Sequence, residues 1–390
     1  MANPKFVIFL FYLSGYFIAT GQDISNIKNI KPLTWNANFN ANFSSFFSDN
    51  NQSLYDPFSY GIAVNGNVSI YDVSIPFTMQ YRDRNTNFGT SFSRFGIRPR
   101  YKWITAYLGH NQVEFNRYVF SGMQFFGAGL ELNPGIFRAG YITGELKNPK
   151  YIVDSLNNNN GFTNIYKRSF SAYKIGIGKT NNFIDLYLLN ANDNNNSILF
   201  SDSITLNPQS NTSLGTTASV SLFNKVMKIS VNAATSILTN NVEAKQLDSA
   251  DLAENKAFDF LNKHIKINKS SNLNWAGDAN VDFNFGSFSI GTKYQRINPF
   301  YQSFGINFLR GDRENISLHT SMNLFNNILN VNANYGIDRN NLLNIRTSTT
   351  KQKVYDINIQ FTPKSWFTLD AQYSNYNFNI DPDTRLAPEG

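Results

Sequence analysis

The sequence predicts an all-β fold, a transmembrane antiparallel β-barrel of about fourteen to sixteen strands, on three observations. Apolar and polar residues alternate with period two through most of the chain from residue 33 onward. No apolar run long enough for a membrane helix, roughly 20 residues, lies beyond the extreme N-terminus. Short turns rich in Asn, Pro and Gly alternate with long polar segments, the asymmetry of outer-membrane barrels.

The alternation is clearest where Leu33, Trp35, Ala37, Phe39, Ala41 and Phe43 interleave with Thr34, Asn36, Asn38, Asn40, Asn42 and Ser44. It returns at Leu273 to Phe285, at Leu329 to Tyr335 and at Tyr355 to Phe361, each time with Asn, Asp or Gln on the second face. Soluble strands also alternate, but several of these runs reach the nine to eleven or so residues that a tilted strand needs to cross a bilayer. In a barrel, Trp275, Val281, Phe283, Val331 and Ile357 then point outward, and Asn280, Asp282, Asn332 and Asn358 point into the lumen. Tyr101, Trp103, Tyr107, Trp366 and Tyr376 stand near expected strand ends, where interfacial girdles belong.

Turns are expected at Asp72, Asn133-Pro134-Gly135, Asn181-Asn182, Phe223-Asn224-Lys225 and Asn326-Asn327. Polar segments 148 to 165, 191 to 212, 239 to 271 and 338 to 352 read as the longer loops. Residues 245 to 264, with Leu247, Leu252, Phe258 and Leu261, suit a helix in one of them, either a folded surface loop or a plug.

Residues 1 to 21 read as a signal peptide: Lys5 is the positive n-region, Phe6 to Phe17 the apolar run, and Ala19 and Gly21 the small residues before the cleavage point. The barrel domain is then 22 to 390, exported to the cell outer membrane. The last clear strand is expected over Ser365 to Phe378, followed by a loop from Asn379 to Gly390. A barrel normally ends on a strand that pairs with the first one, so the domain is expected to be incomplete or to close in an unusual way.

The chain has 0 cysteines, which excludes disulfides, thiolate chemistry and a lipid-modified cysteine. Net charge is +7, but the basic residues are scattered singly, against a nucleic-acid partner. No catalytic, cofactor-binding or metal site is expected. Gly176-Ile177-Gly178-Lys179-Thr180 lacks the leading glycine of a phosphate loop, which would stand at Tyr173, and reads as a glycine-rich strand. His110, His264 and His319 have no second histidine at ligand spacing, and no Gly-x-Ser-x-Gly elbow occurs. Glu114, Arg117, Glu131, Arg138 and Glu145 form a charged group that could brace the lumen as a ladder or line a constriction. Arg138 is expected within ion-pair distance of Glu114, Glu131 or Glu145.

Phe95 to Trp103, Tyr107-Leu108-Gly109, Phe120-Ser121-Gly122, Phe126 to Gly135, Tyr294 to Pro299 and Gln372 to Tyr376 together resemble a family of outer-membrane β-barrels widespread in Bacteroidota. That resemblance spans the chain from about residue 57. It implies a porin-like barrel in a Gram-negative outer membrane, in contact with its lipid and lipopolysaccharide, and implies no activity. The expected function is a passive channel for small polar solutes. The alternatives are an accessory barrel of a secretion or assembly machine, with outer-membrane or periplasmic protein partners, and an outer-membrane hydrolase built on a Ser/His pair.

Overall fold

The computed structural model describes residues 32–45, 58–83, 93–149, 165–198, 206–247 and 267–382. The expected signal peptide, the core of the 245 to 264 helix with His264, and the last eight residues lie outside these. Residues 245–247, at the start of the expected helix, are not helical, and Gln246 bridges to Asn268 instead.

The described residues form an antiparallel meander. Its strands are β1 (Leu33–Ser45), β2 (Phe58–Ile70), β3 (Val73–Arg82), β4 (Arg94–Ile97), β5 (Arg100–Tyr101), β6 (Ile104–Gln112), β7 (Phe120–Ser121), β8 (Gln124–Leu132), β9 (Phe137–Lys147) and β10 (Lys167–Lys179). There follow β11 (Asn182–Asn194), β12 (Ser210–Leu222), β13 (Met227–Thr239), β14 (Ser271–Asn284), β15 (Phe288–Ile297), β16 (Gly305–Ile306), β17 (Arg313–Leu324), β18 (Leu329–Arg339), β19 (Ser348–Lys364) and β20 (Phe367–Pro382). All but β7 and β16 join one 18-stranded sheet, above the expected count. The strands β4 and β5 lie end to end between β3 and β6, split at Arg98-Pro99, where proline has no N–H for the ladder. The sheet therefore has 17 positions. The excess over expectation comes from segments such as Ser210–Leu222, whose serines and threonines blur the alternation.

The short turns fall where expected. Phe223, Asn224 and Lys225 all have positive φ, as do Phe325, Asn326 and Asn327, so Leu-Phe-Asn builds the same tight reversal twice. The strand expected to end at Phe378 instead runs to Pro382, with Asn379 to Pro382 paired to Lys351 to Ser348. Some loop boundaries shrink likewise, because 191 to 194 lie in β11 and 348 to 352 in β19.

Facing follows the alternation. Asp278 on β14 contacts the segment folded inside the sheet, so the even-numbered residues of β14, including Asn280 and Asp282, face inward. Register carries that face through Gly291, His319, Asn334 and Asp356, placing Asn332 and Asn358 inward too. Trp275 and Ile357 are exposed on the opposite face, which Val281, Phe283 and Val331 share. Tyr107 and Tyr376 depart from the girdle expectation: both are mid-strand residues facing inward, and Tyr107 is buried. Trp103 and Trp366 do sit exposed in short turns.

Strand β1 pairs only with β2, and β20 only with β19, so among the described residues no ladder joins the two.

Candidate functional site

The site is the inner face of the sheet. Two connections fold into it: residues 113–123 between β6 and β8, and 298–312 between β15 and β17. They meet as a small parallel ladder, β7 against β16, with Gly305 opposite Phe120. Both are too apolar for solvent. Val113, Phe115, Tyr118, Val119, Phe120, Tyr301 and Phe304 are all buried, and they pack on Phe125, Phe170, Tyr187 and Leu189 of the wall. Phe120 and Phe170 stack with centroids 5.1 Å apart. At Gly215 of β12 an added Cβ would come within 2.5 Å of Val119, so the wall has glycine where the in-folded chain comes closest.

Polar groups then fix the position of the two segments, since each buried donor or acceptor needs a partner. Tyr118 donates its hydroxyl to Asp278 at 2.6 Å and accepts from Gln295 at 2.8 Å. Tyr301 donates to the Tyr118 carbonyl at 2.6 Å, and Ser303 to the Val119 carbonyl at 2.7 Å. Asn116 reaches the Thr216 carbonyl at 3.0 Å and Thr217 Oγ1 at 2.9 Å, and Asn211 accepts from the Phe304 amide at 2.9 Å. Arg168 lies over the Phe304 ring, 3.4 Å from its centroid, while its guanidinium grips Asp193 through two hydrogen bonds. Burial raises both the Tyr118 and Tyr301 hydroxyls above the usual tyrosine value, with the neighbouring Asp278 adding to the shift at Tyr118.

The charged group is only partly where the sequence placed it. Glu131 pairs with Lys174 at 2.7 Å and Arg138 with Asp185 at 2.8 Å. Lys174 stands 4.0 Å from Asp185, so the two pairs join into one inward ladder. Tyr107 donates to Glu131 and Tyr187 to Asp185. Arg138 does not pair with Glu114, Glu131 or Glu145, because register sets it opposite Gly176 and thereby beside Asp185, whereas Glu131 stands opposite Gly140. Gly176 keeps the space open, since a Cβ there would sit 1.9 Å from an Asp185 carboxylate oxygen. Arg117 belongs to the in-folded segment and pairs with Asp278 at 3.3 Å. Glu145 shares the outer face with Phe126 and Ser169, and its pair with Lys167 is surface decoration. Glu114 is exposed and has no ion-pair partner among the described residues. Sequence reasoning missed Asp185, Lys174, Asp278 and Tyr118; the aromatic run from Phe115 to Phe120 was the signal available.

The inner face of β1 to β3 and β17 to β20 is different. It carries rows of amides and hydroxyls: Asn36, Asn38, Asn40 and Asn42 opposite Asn67, Asn65, Ala63 and Gly61, then Asn330, Asn332 and Asn334 opposite Gln360, Asn358 and Asp356. The described buried apolar residues all lie between Tyr107 and Phe304, so none belongs to these strands. His319 on this face bonds Asp282 at 2.8 Å, and His110 sits against Phe126 on the outer face. No described serine is hydrogen-bonded to either ring, and no group of metal-ligating side chains occurs among the described residues.

No family model and no characterised protein matches the sequence. Among solved structures, the chain is similar to OpdQ of Pseudomonas aeruginosa, with 13% identity, 89% of this chain and 91% of that one covered, and a TM-score of 0.43. It is also similar to OccAB3 of Acinetobacter baumannii, at 11% identity, coverage of 89% and 92%, and a TM-score of 0.43. A BenF-like porin from Pseudomonas fluorescens Pf-5 follows at 8% identity, coverage of 90% and 94%, and a TM-score of 0.41. Likenesses this distant carry nothing of those proteins' activity over to this chain.

Proposed function

We propose that the chain is an outer-membrane β-barrel that serves as a passive channel for small polar solutes. The observation that carries this reading is an inside-out distribution of side chains. Ile175 at 68%, Leu186 at 55% and Ile316 at 54% exposure stand on the outer face, with Leu130, Leu318 and Ile357 beside them. So broad an apolar exterior is foreign to a monomeric protein in water and ordinary for a wall facing lipid. The inner face of β1 to β3 and β17 to β20 is meanwhile lined mostly with amides and hydroxyls, which replace a solute's water without holding it as a fixed charge would. The leader-like residues 1 to 21 and the resemblance to Bacteroidota barrels support export to an outer membrane and contact with its lipids.

In this reading the in-folded segments narrow one side of the lumen and leave the amide-lined side as the conduit. Purified, folded chain inserted in planar lipid bilayers should give discrete single-channel conductance steps. Demonstrated insertion without any conductance would overturn the channel.

A further inference from the structure

On the outer face of β15 to β19, charge gathers in one row at the long-loop end. Gln295 is bonded to Tyr118 inside the sheet, so its neighbour Arg296 points outward. Register then sets Arg296 opposite Glu314, Glu314 opposite Arg339 and Arg339 opposite Lys351. Glu314 stands between the two guanidiniums, 3.4 Å from Arg296 and 2.9 Å from Arg339, and accepts the Tyr294 hydroxyl at 2.8 Å. One carboxylate therefore orients two arginines and neutralises only one. Lys351 pairs with Asp381 at 3.1 Å, while Lys353, on the same face and one step further from the loops, has no ion pair among the described residues. Four cations thus face two carboxylates, and the Arg339 and Lys351 side chains are 43% and 50% exposed.

Below the row the same face changes with depth. Tyr335 and Tyr355 come next, with ring centroids 5.0 Å apart, and then Ala333 with Ile357, Val331 with Ile359 and Leu329 with Phe361 down to the short turn. The 11 residues of β18 rise about 25 Å at a strand tilt of about 40°, which is the height of a barrel's apolar band. The row therefore lies at the headgroup border on the long-loop, external side. Other sectors differ there: β10 to β12 end in Ser169, Asn192 and Ser210, with Lys167 held by Glu145, and β1 and β2 carry Phe43 and Tyr60. We propose that the row binds the phosphorylated headgroup of an anionic glycolipid in the outer leaflet. Guanidiniums take phosphate through paired N–H donors, and Lys351 and Lys353 add point charges beside them. The tyrosines and the apolar wall beneath receive acyl chains, which a free phosphate lacks. This site rests on the barrel reading.

Purified chain is reconstituted into phosphatidylcholine vesicles that hold either diphosphorylated lipid A or the same lipid stripped of its phosphates. Flotation confirms insertion, and native mass spectrometry after release into mild detergent counts the lipid retained. The wild-type chain should retain the phosphorylated lipid, and the triple variant Arg339→Gln, Lys351→Gln and Lys353→Gln should retain it at least about tenfold less. Lys353→Gln alone breaks no described ion pair and should still lower retention about fivefold. Lys167→Gln, on the same face in another sector, should change nothing. Equal retention by wild type and the Lys353→Gln variant, or of the phosphorylated and stripped lipids, would overturn the site. Displacement of the lipid by inorganic phosphate, at an ionic strength matched with chloride, would mark a free-anion site and overturn it equally. Wild-type chain that fails to float would bring down the barrel reading as well, whereas chain that floats and enriches neither lipid brings down the site alone.

Discussion

One side of this sheet is packed like a soluble protein and the other is bare. From β6 to β15 the inner face is covered by residues 113–123 and 298–312, with a buried aromatic cluster and a bracing charge ladder. From β17 round through β20 and from β1 to β3, the inner face carries amide rows without buried apolar residues. Both sides use the same alternating strands and the same apolar exterior. The difference lies in what two connections do, so the packing of the lumen is decided in segments that the strand pattern leaves unspecified.

Removing charge should separate the two sides most sharply. Asp185 is fully buried between Arg138, Lys174 and Tyr187, so Asp185→Ala leaves the Arg138 guanidinium without its carboxylate, Lys174 keeping Glu131, and should cost about 3–5 kcal/mol. His319 on the bare side and its partner Asp282 on β14 keep side-chain exposures of 42% and 31%, and His319→Ala should cost about 0–1 kcal/mol. Denaturant midpoints of the two variants in the same lipid would test this; equal losses would erase the contrast.

The outer wall should treat both sides alike. Val281→Arg should cost about 2–4 kcal/mol if it lies near the bilayer midplane, while the adjacent Asn280→Arg, facing the lumen, is tolerated. Reversed effects on folding into vesicles would mean that the faces have been exchanged.

A smaller effect is expected at Gly176, where the Cβ of Gly176→Ala would press on Asp185 and on the Ile184 carbonyl. Forced repacking there should cost about 1–3 kcal/mol, and the same denaturation series would show it. A comparable loss is expected at Tyr118. Tyr118→Phe removes the hydrogen bond to Asp278, which keeps Arg117 and Asn232, and the acceptor of the buried Gln295 amide, and should cost about 1–3 kcal/mol. The hydroxyl's value is raised above the usual 10.0, so its contribution is complete below that pH and is lost only as pH rises through the raised value. The difference between wild type and variant should therefore be flat from about pH 6 to 9.

Much of the wall was legible in the sequence because period-two alternation has a single geometric meaning: Asn332 and Val331 cannot share a face of one strand. The tight turns were legible for a similar reason, since Phe223-Asn224-Lys225 announces itself through Asn224, a residue that suits positive φ. The site was less legible. Arg138 found Asp185 because of register across three strands, which no local pattern encodes. Tyr118 and Asp278 meet across 160 residues, a contact set by an in-folding whose local trace is the aromatic run from Phe115 to Phe120. Glu145 went to the outer face through register with Phe126 and Ser169, next to a bulge at Arg168 that local alternation does not reveal.

The central claim is that the amide-lined side conducts. Asn334 faces inward on β18 and Tyr335, its neighbour, faces outward. Single-channel recordings of Asn334→Cys and Tyr335→Cys during addition of a charged, membrane-impermeant thiol reagent test this directly. The account predicts a stepwise change of current for Asn334→Cys and none for Tyr335→Cys. Reaction at Tyr335→Cys with Asn334→Cys protected, or labelling of Asn334→Cys that leaves the current unchanged, would contradict it.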